Sequence, residues 1–256
     1  LTTSSANPDL NWLISVDDHI LEPPHVWQDR IASKDRDRAP KLVRNGDKET
    51  WVYENRIVPT SGLSAVVGKS REEFSPEAIT YADMHPGCYD PKVRLEHMNE
   101  AGILASLGFP SFPRFCGQIF YEAEDKDLAL RCLQAYNDWI FEEWCATDPG
   151  RFIPLVIIPL WDPQLAVKEI ERTAALGARS VAFSENPRTS GPSDHQRSQP
   201  ILGPRHGRRS RQRPRHLHAC RVLLAIAYHR QRRTLHGQSH LGGDPYCGDD
   251  VAVAFQ

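Results

Sequence analysis

The sequence predicts an α/β protein, a parallel sheet built from repeated strand–helix units. Three observations carry this expectation. Two segments open on Asp-Pro and close on Gly, "DPKVRLEHMNEAG" at 90–102 and "DPQLAVKEIERTAALG" at 162–177, which is the punctuation of a capped helix. Each runs directly into an apolar stretch, "ILASLGFPSF" at 103–112 and "ARSVAFSEN" at 178–186. Between them "RFIPLVIIPL" at 151–160 is almost continuously apolar, as a strand covered on both faces of a parallel sheet would be. Helix passing at once into strand, through short connections, is a βα array.

The elements follow in order. Residues 13–16, Leu-Ile-Ser-Val, read as a short buried strand that stops at Asp17-Asp18-His19. Residues 25–90 are irregular and carry Pro40, Pro59 and Pro76, so they read as a long loop and hairpin excursion over one face. Within it "ETWVYENRIVPT" alternates around Glu54 and Asn55, as a hairpin does. A long helix is expected over 121–147, with Leu128, Cys132, Ala135, Trp139 and Ile140 on one side. An open doubly wound sheet fits the same pattern, but no GxGxxG follows the first strand, which removes the main support for a dinucleotide site.

Composition narrows the class. The six cysteines form no CxxC pair, so neither a zinc ribbon nor a disulfide scaffold is indicated, and reduced thiols in a cytoplasmic protein are expected. No apolar run reaches membrane-spanning length, so no membrane partner is expected. The formal net charge of −2 averages two unlike regions. Residues 1–187 hold 19 Lys and Arg against 29 Asp and Glu, a net charge of −10, and residues 188–256 hold 12 Arg against four Asp, a net charge of +8.

In parallel βα architectures the chemistry sits at the carboxyl ends of the strands. Here those ends read Asp17-Asp18-His19, Phe109-Pro110-Ser111, Pro159-Leu160-Trp161 and Ser184-Glu185-Asn186. Side chains two apart on a strand share a face, so Asp17 and His19 can point together while Asp18 points elsewhere. A carboxylate oxygen with an imidazole nitrogen suits zinc or manganese, although a catalytic site normally takes three protein ligands. On these residues alone, a capping Asp17 and a strand-end His19 with no metal is the blander reading. Trp161 and Glu185 are candidates for the pocket wall, and His25 and His85 are surface positions within reach of a substrate from the excursion.

Taken together, "VDDHILEPPHVW", "DPKVRLEHMNEAGILASLGFPSF" and "WCATDPGRFIPLVIIPLWDPQLAVKEIERTAALGARSVAFSENP" resemble the metal-dependent amidohydrolase superfamily, in the branch that includes aminocarboxymuconate-semialdehyde decarboxylase. The resemblance covers almost all of residues 12–187. It implies a (β/α)8 TIM barrel with one divalent metal, zinc or manganese, at its mouth. Asp17 and His19 stand where the family has its first-strand ligands, and a fifth-strand His and an eighth-strand Asp complete the set. It implies hydrolysis or decarboxylation of a small carboxylated or cyclic organic substrate. Intact members are expected to be homo-oligomers.

After "SENP" the resemblance stops. The basic "RHGRRSRQRPRH" at 205–216 could contact phosphate, which makes a binding protein with a nucleic-acid-contacting tail the alternative reading. A one-base frame shift explains the tail more economically, and nucleic acid is then not an expected partner. New codons formed from the last two bases of each codon and the first base of the next permit L-G-L-P from residues 190–193 and Y-W-D-P-V from 201–205. Residues 215–229 permit G-I-C-M-H-V-G-S-S-S-Q-L-P-T-T, which looks like the family's fifth-strand segment with its histidine. The expectation is therefore a first half of a barrel over 1–187, four βα units, and an out-of-frame tail over 188–256. Such a chain is expected to be inactive.

Overall fold

The computed structural model describes residues 13–59 and 62–184, and two further strands at 220–225 and 252–254. Strand β1 (Leu13–Ile20) leads into a single-turn helix α1 (His25–Gln28). The excursion then forms an antiparallel sheet of β2 (Lys41–Asn45), β3 (Lys48–Tyr53) and β4 (Arg56–Pro59). Helix α2 (Pro91–Ala101) feeds β5 (Ile103–Pro110). A short α3 (Gln118–Tyr121) and a long α4 (Lys126–Trp139) precede β6 (Phe152–Ile153) and β7 (Leu155–Val156), and α5 (Pro163–Leu176) precedes β8 (Ser180–Ser184). The last strands are β9 (Cys220–Ala225) and β10 (Ala252–Ala254).

The parallel array is present. β1 pairs with β5, β5 with β6, and β7 with β8, all parallel and in chain order. β6 and β7 are one strand interrupted at Pro154, which has no N–H to give to a ladder. The interruption shortens the run expected over 151–160, and the Ser180 hydroxyl donates to the Pro154 carbonyl at 2.8 Å instead. β9 adds to β8 antiparallel, and β10 to β9 antiparallel, so among the described residues parallel addition ends at β8.

The capped helices lie where their punctuation puts them. Asp90 and Asp162 accept from Lys92 N and Gln164 N at 2.9 and 2.8 Å, and Gly102 and Gly177 close the helices at φ 69° and 108°. The helix expected over 121–147 is divided. Asp125 accepts from Leu128 N at 2.9 Å and starts α4 afresh at Lys126, and beyond Trp139 the helix widens into a π turn over Ile140–Trp144. β1 is not the buried strand its composition suggests. It ends a sheet, and Leu13 and Ile14 are 46% and 50% exposed.

An aromatic nucleus fastens the excursion to the array. Trp27 of α1 lies 5.2 Å from Trp51 of β3 and 4.9 Å from Phe112, which follows β5, and its indole donates to the Cys132 carbonyl at 2.9 Å. Edge-on pairs of this kind add about 0.5–1.5 kcal/mol each beyond the area they bury. A buried amide joins the other side. Asn137 of α4 donates to the Ile157 carbonyl and to Glu169 of α5 and accepts from Ile157 N, at 2.9, 2.7 and 3.0 Å. No helix among the described residues is long and apolar enough to cross a membrane.

Candidate functional site

Alternation along β1 sorts its three polar residues. Asp17 and His19 are exposed, and Asp18 between them is half-buried. Asp18 accepts from the Ser15 hydroxyl at 2.8 Å and from the Ser106 hydroxyl of β5, with the Arg94 guanidinium 3.9 Å away. It is thus a polar tie between the two strands and not a bystander. The register contributes as well. Ser15 faces Ser106 and Asp18 faces Gly108, so β1 carries one extra residue at Val16–Asp17. A bulge of this kind bends the strand and re-aims the side chains that follow it.

His19 is held by its neighbours. Its imidazole stacks on Phe109 with centroids 5.8 Å apart and meets the edge of Phe115 at 5.5 Å. Its carbonyl accepts from Arg94 Nη2 at 2.7 Å, and Arg94 Nε donates to the Gly87 carbonyl at 2.8 Å. Gly108 lets β5 come this close, because a Cβ there would meet Ile20 Cγ2 at 2.7 Å.

Asp17 and His19 offer one oxygen and one nitrogen on the same exposed face, a donor pair that zinc or manganese accepts. Among the described residues no group of three or more His, Cys, Asp or Glu is arranged to hold a metal. The donor chemistry of the pair fits a divalent ion. Cys88, Cys116, Cys132 and Cys145 are buried, and burial pushes the Cys145 thiol up to about 12 and raises that of Cys132 as well, so these two remain protonated at neutral pH.

Trp161 is half-buried beside Lys126, whose ammonium lies 5.4 Å from its ring centroid and donates to the Ala123 carbonyl at 2.8 Å. Its indole nitrogen is buried without an acceptor among the described residues. Glu185 lies outside the described residues. His25 lies 2.8 Å from the Glu143 carboxylate, and His85 accepts from Gly87 N at 3.1 Å with its ring 4.3 Å from that of His97. Both histidines of the excursion therefore have partners within the fold, His25 at the start of α1 and His85 before a single 3-10 turn.

Sequence reasoning missed Glu22. Two residues past the end of β1, it is 1% exposed, and its carboxylate accepts from Ser111 N at 3.0 Å and Phe112 N at 2.9 Å. Its carbonyl accepts from the Tyr81 hydroxyl at 2.6 Å. Burial pushes its carboxyl up to about 7, against the opposing pull of those amides. The one hint in the sequence is an acid directly before Pro23-Pro24, two residues that have no N–H to offer.

Solved structures resemble part of this chain. An amidohydrolase from Mycobacterium avium subsp. paratuberculosis is 22% identical, with 65% of this chain and 47% of that one covered and a TM-score of 0.47. The 2,6-dihydroxybenzoate decarboxylase from Rhizobium is 17% identical, with 65% and 36% covered and a TM-score of 0.34. The same type of enzyme in complex with 2,6-dihydroxybenzoate is 18% identical, with 65% and 37% covered and a TM-score of 0.34. The chain thus spans less than half the length of each. The family comparison reaches further along the chain, from His25, just past β1, to position 209, and with residues 25–209 matching the amidohydrolase family model the chain belongs to the amidohydrolase family.

Proposed function

We propose that this chain is the N-terminal part of a metal-dependent hydrolase or decarboxylase that acts on a small carboxylated or cyclic organic substrate. Its parallel strands are the first four of a (β/α)8 barrel. One divalent ion, zinc or manganese, binds Asp17 and His19, and when bound it polarises a carbonyl or carboxylate of the substrate. The observation that carries this reading is the exposed Asp17–His19 pair at the carboxyl end of the first parallel strand, in a chain of this family.

The chain's own residues prepare that face. Asp18, Ser106 and Arg94 lock the end of β1 to β5, so Asp17 and His19 keep their spacing. Phe109 and Phe115 pack against the imidazole and restrict its rotation. Trp161 belongs to the pocket wall. The remaining ligands belong to strands that residues 188–256 would encode in the neighbouring frame, and the antiparallel attachment of β9 where a barrel needs a parallel strand supports that reading.

Two measurements test it. The nucleotide sequence across codons 185–195 shows a one-base shift relative to the expected frame, and an intact frame encoding this tail would overturn that part. Purified 1–256 takes up zinc or manganese weakly and does not turn over, whereas the frame-restored protein binds one ion per chain. His19→Ala in the restored protein lowers that affinity at least tenfold. Tight stoichiometric uptake by 1–256 would refute the half-site.

A further inference from the structure

We propose that Glu22 is a positioning residue for His19, acting through the turn that follows β5. The connection is traceable atom by atom. The Glu22 carboxylate accepts from the amides of Ser111 and Phe112 and so pins the first two residues of that turn. Arg114 N then donates to the Ser111 carbonyl at 3.2 Å, with Arg114 in the left-handed region at φ 60°. That conformation is costly for a residue with a Cβ and persists where its surroundings enforce it. It delivers Phe115, the next residue, edge-on against the His19 imidazole at 5.5 Å, beside the ring of Phe109, on which the imidazole stacks at 5.8 Å. Phe115 is itself 39% exposed, and besides the turn its ring is met only edge-on by Phe109, at 5.9 Å, among the ring contacts of the described residues other than His19.

Other elements anchor Glu22. The Tyr81 hydroxyl holds its carbonyl, and Phe112, beside the pinned amide, is set among Trp27, Trp51 and Tyr53. Glu22 therefore joins the end of β1 to the turn after β5 through its carboxylate, and to the excursion through its carbonyl. Removing the carboxylate frees the turn, lets Phe115 leave, and uncovers His19.

Carbethoxylation of 1–256 by diethyl pyrocarbonate, read histidine by histidine by mass spectrometry, tests the chain of contacts. Phe115→Ala and Glu22→Ala each raise the His19 rate about fivefold or more, with His25, His85 and His97 within twofold of the parent. Glu22→Gln keeps one acceptor oxygen and gives an intermediate rate, and it carries the comparison if Glu22→Ala does not fold. An unchanged His19 rate in the Glu22 variants, or in Phe115→Ala, overturns the proposal. So does a rise at all four histidines together, which marks general loosening. The inference rests on His19 being a ligand, but the reagent reports the imidazole itself, so failure here is distinct from failure of metal uptake.

Discussion

The surroundings of Glu22 disfavour its charged form. Its carboxyl is pushed from 4.5 to about 7 by burial, so the folded protein holds a proton that the unfolded chain releases between those values. The sign follows from linkage: Glu22's contribution favours the fold fully below pH 4.5 and is lost as pH rises through 7. The shift corresponds to about 3 kcal/mol at most, at roughly 1.4 kcal/mol per unit. Glu22→Gln, which cannot ionise, removes this dependence. Urea unfolding at pH 5 and pH 8 is therefore expected to show the parent losing more stability than Glu22→Gln over that range. Equal losses in the two proteins would refute the assignment. The shared exposure of Asp17 and His19 on β1 was legible in the sequence because strand alternation is a local rule. Asp18 and Glu22 were not, because their roles lie in partners 88 to 90 residues away, at Ser106, Ser111 and Phe112.

Elements punctuated by their own residues were the readable ones. Asp-Pro starts and Gly ends gave α2 and α5, and the alternation around Glu54 gave the β3–β4 hairpin, where Glu54 takes φ 52°. The long helix was read too long, since Asp125 looks like any acid in "YEAEDKDL" until its carboxylate is seen to cap Leu128 N. What the elements do to one another is less visible still. Asn137 joins α4, the strand end at Ile157 and α5 through three buried hydrogen bonds. Glu169 in turn needs Asn137 and Arg172 to offset its burial, with Arg172 Nη2 at 2.7 Å. Asn137→Ala leaves an amide, a carbonyl and part of a carboxylate unpaired in the core. It is expected to cost about 3 kcal/mol. Chemical denaturation measures that loss, and a cost below about 1 kcal/mol would mean that water replaces the side chain.

At the scale of the molecule, the described residues form an array with an open edge at β1. Parallel order was legible because each strand follows a helix closely, but the state of the first strand was not, since burial depends on which neighbours are present. β1 ends its sheet, and on its outer side no strand pairs with it among the described residues. Leu13 and Ile14 are exposed there, with Leu104 on β5 at 45%. An uncovered, apolar strand edge offers free N–H and C=O groups to another copy, and charged residues are the usual protection against this. Ile14→Lys is therefore expected to lower the concentration-dependent association of 1–256 at least twofold by sedimentation velocity. The folded state is little affected, within about 0.5 kcal/mol, because an exposed side chain is being exchanged. Val167→Lys supplies the control: Val167 is 54% exposed on α5, so the substitution adds the same charge away from any strand edge and leaves association unchanged. If both variants reduce association equally, repulsion between charged molecules is responsible. If neither does, association uses a surface other than the β1 edge.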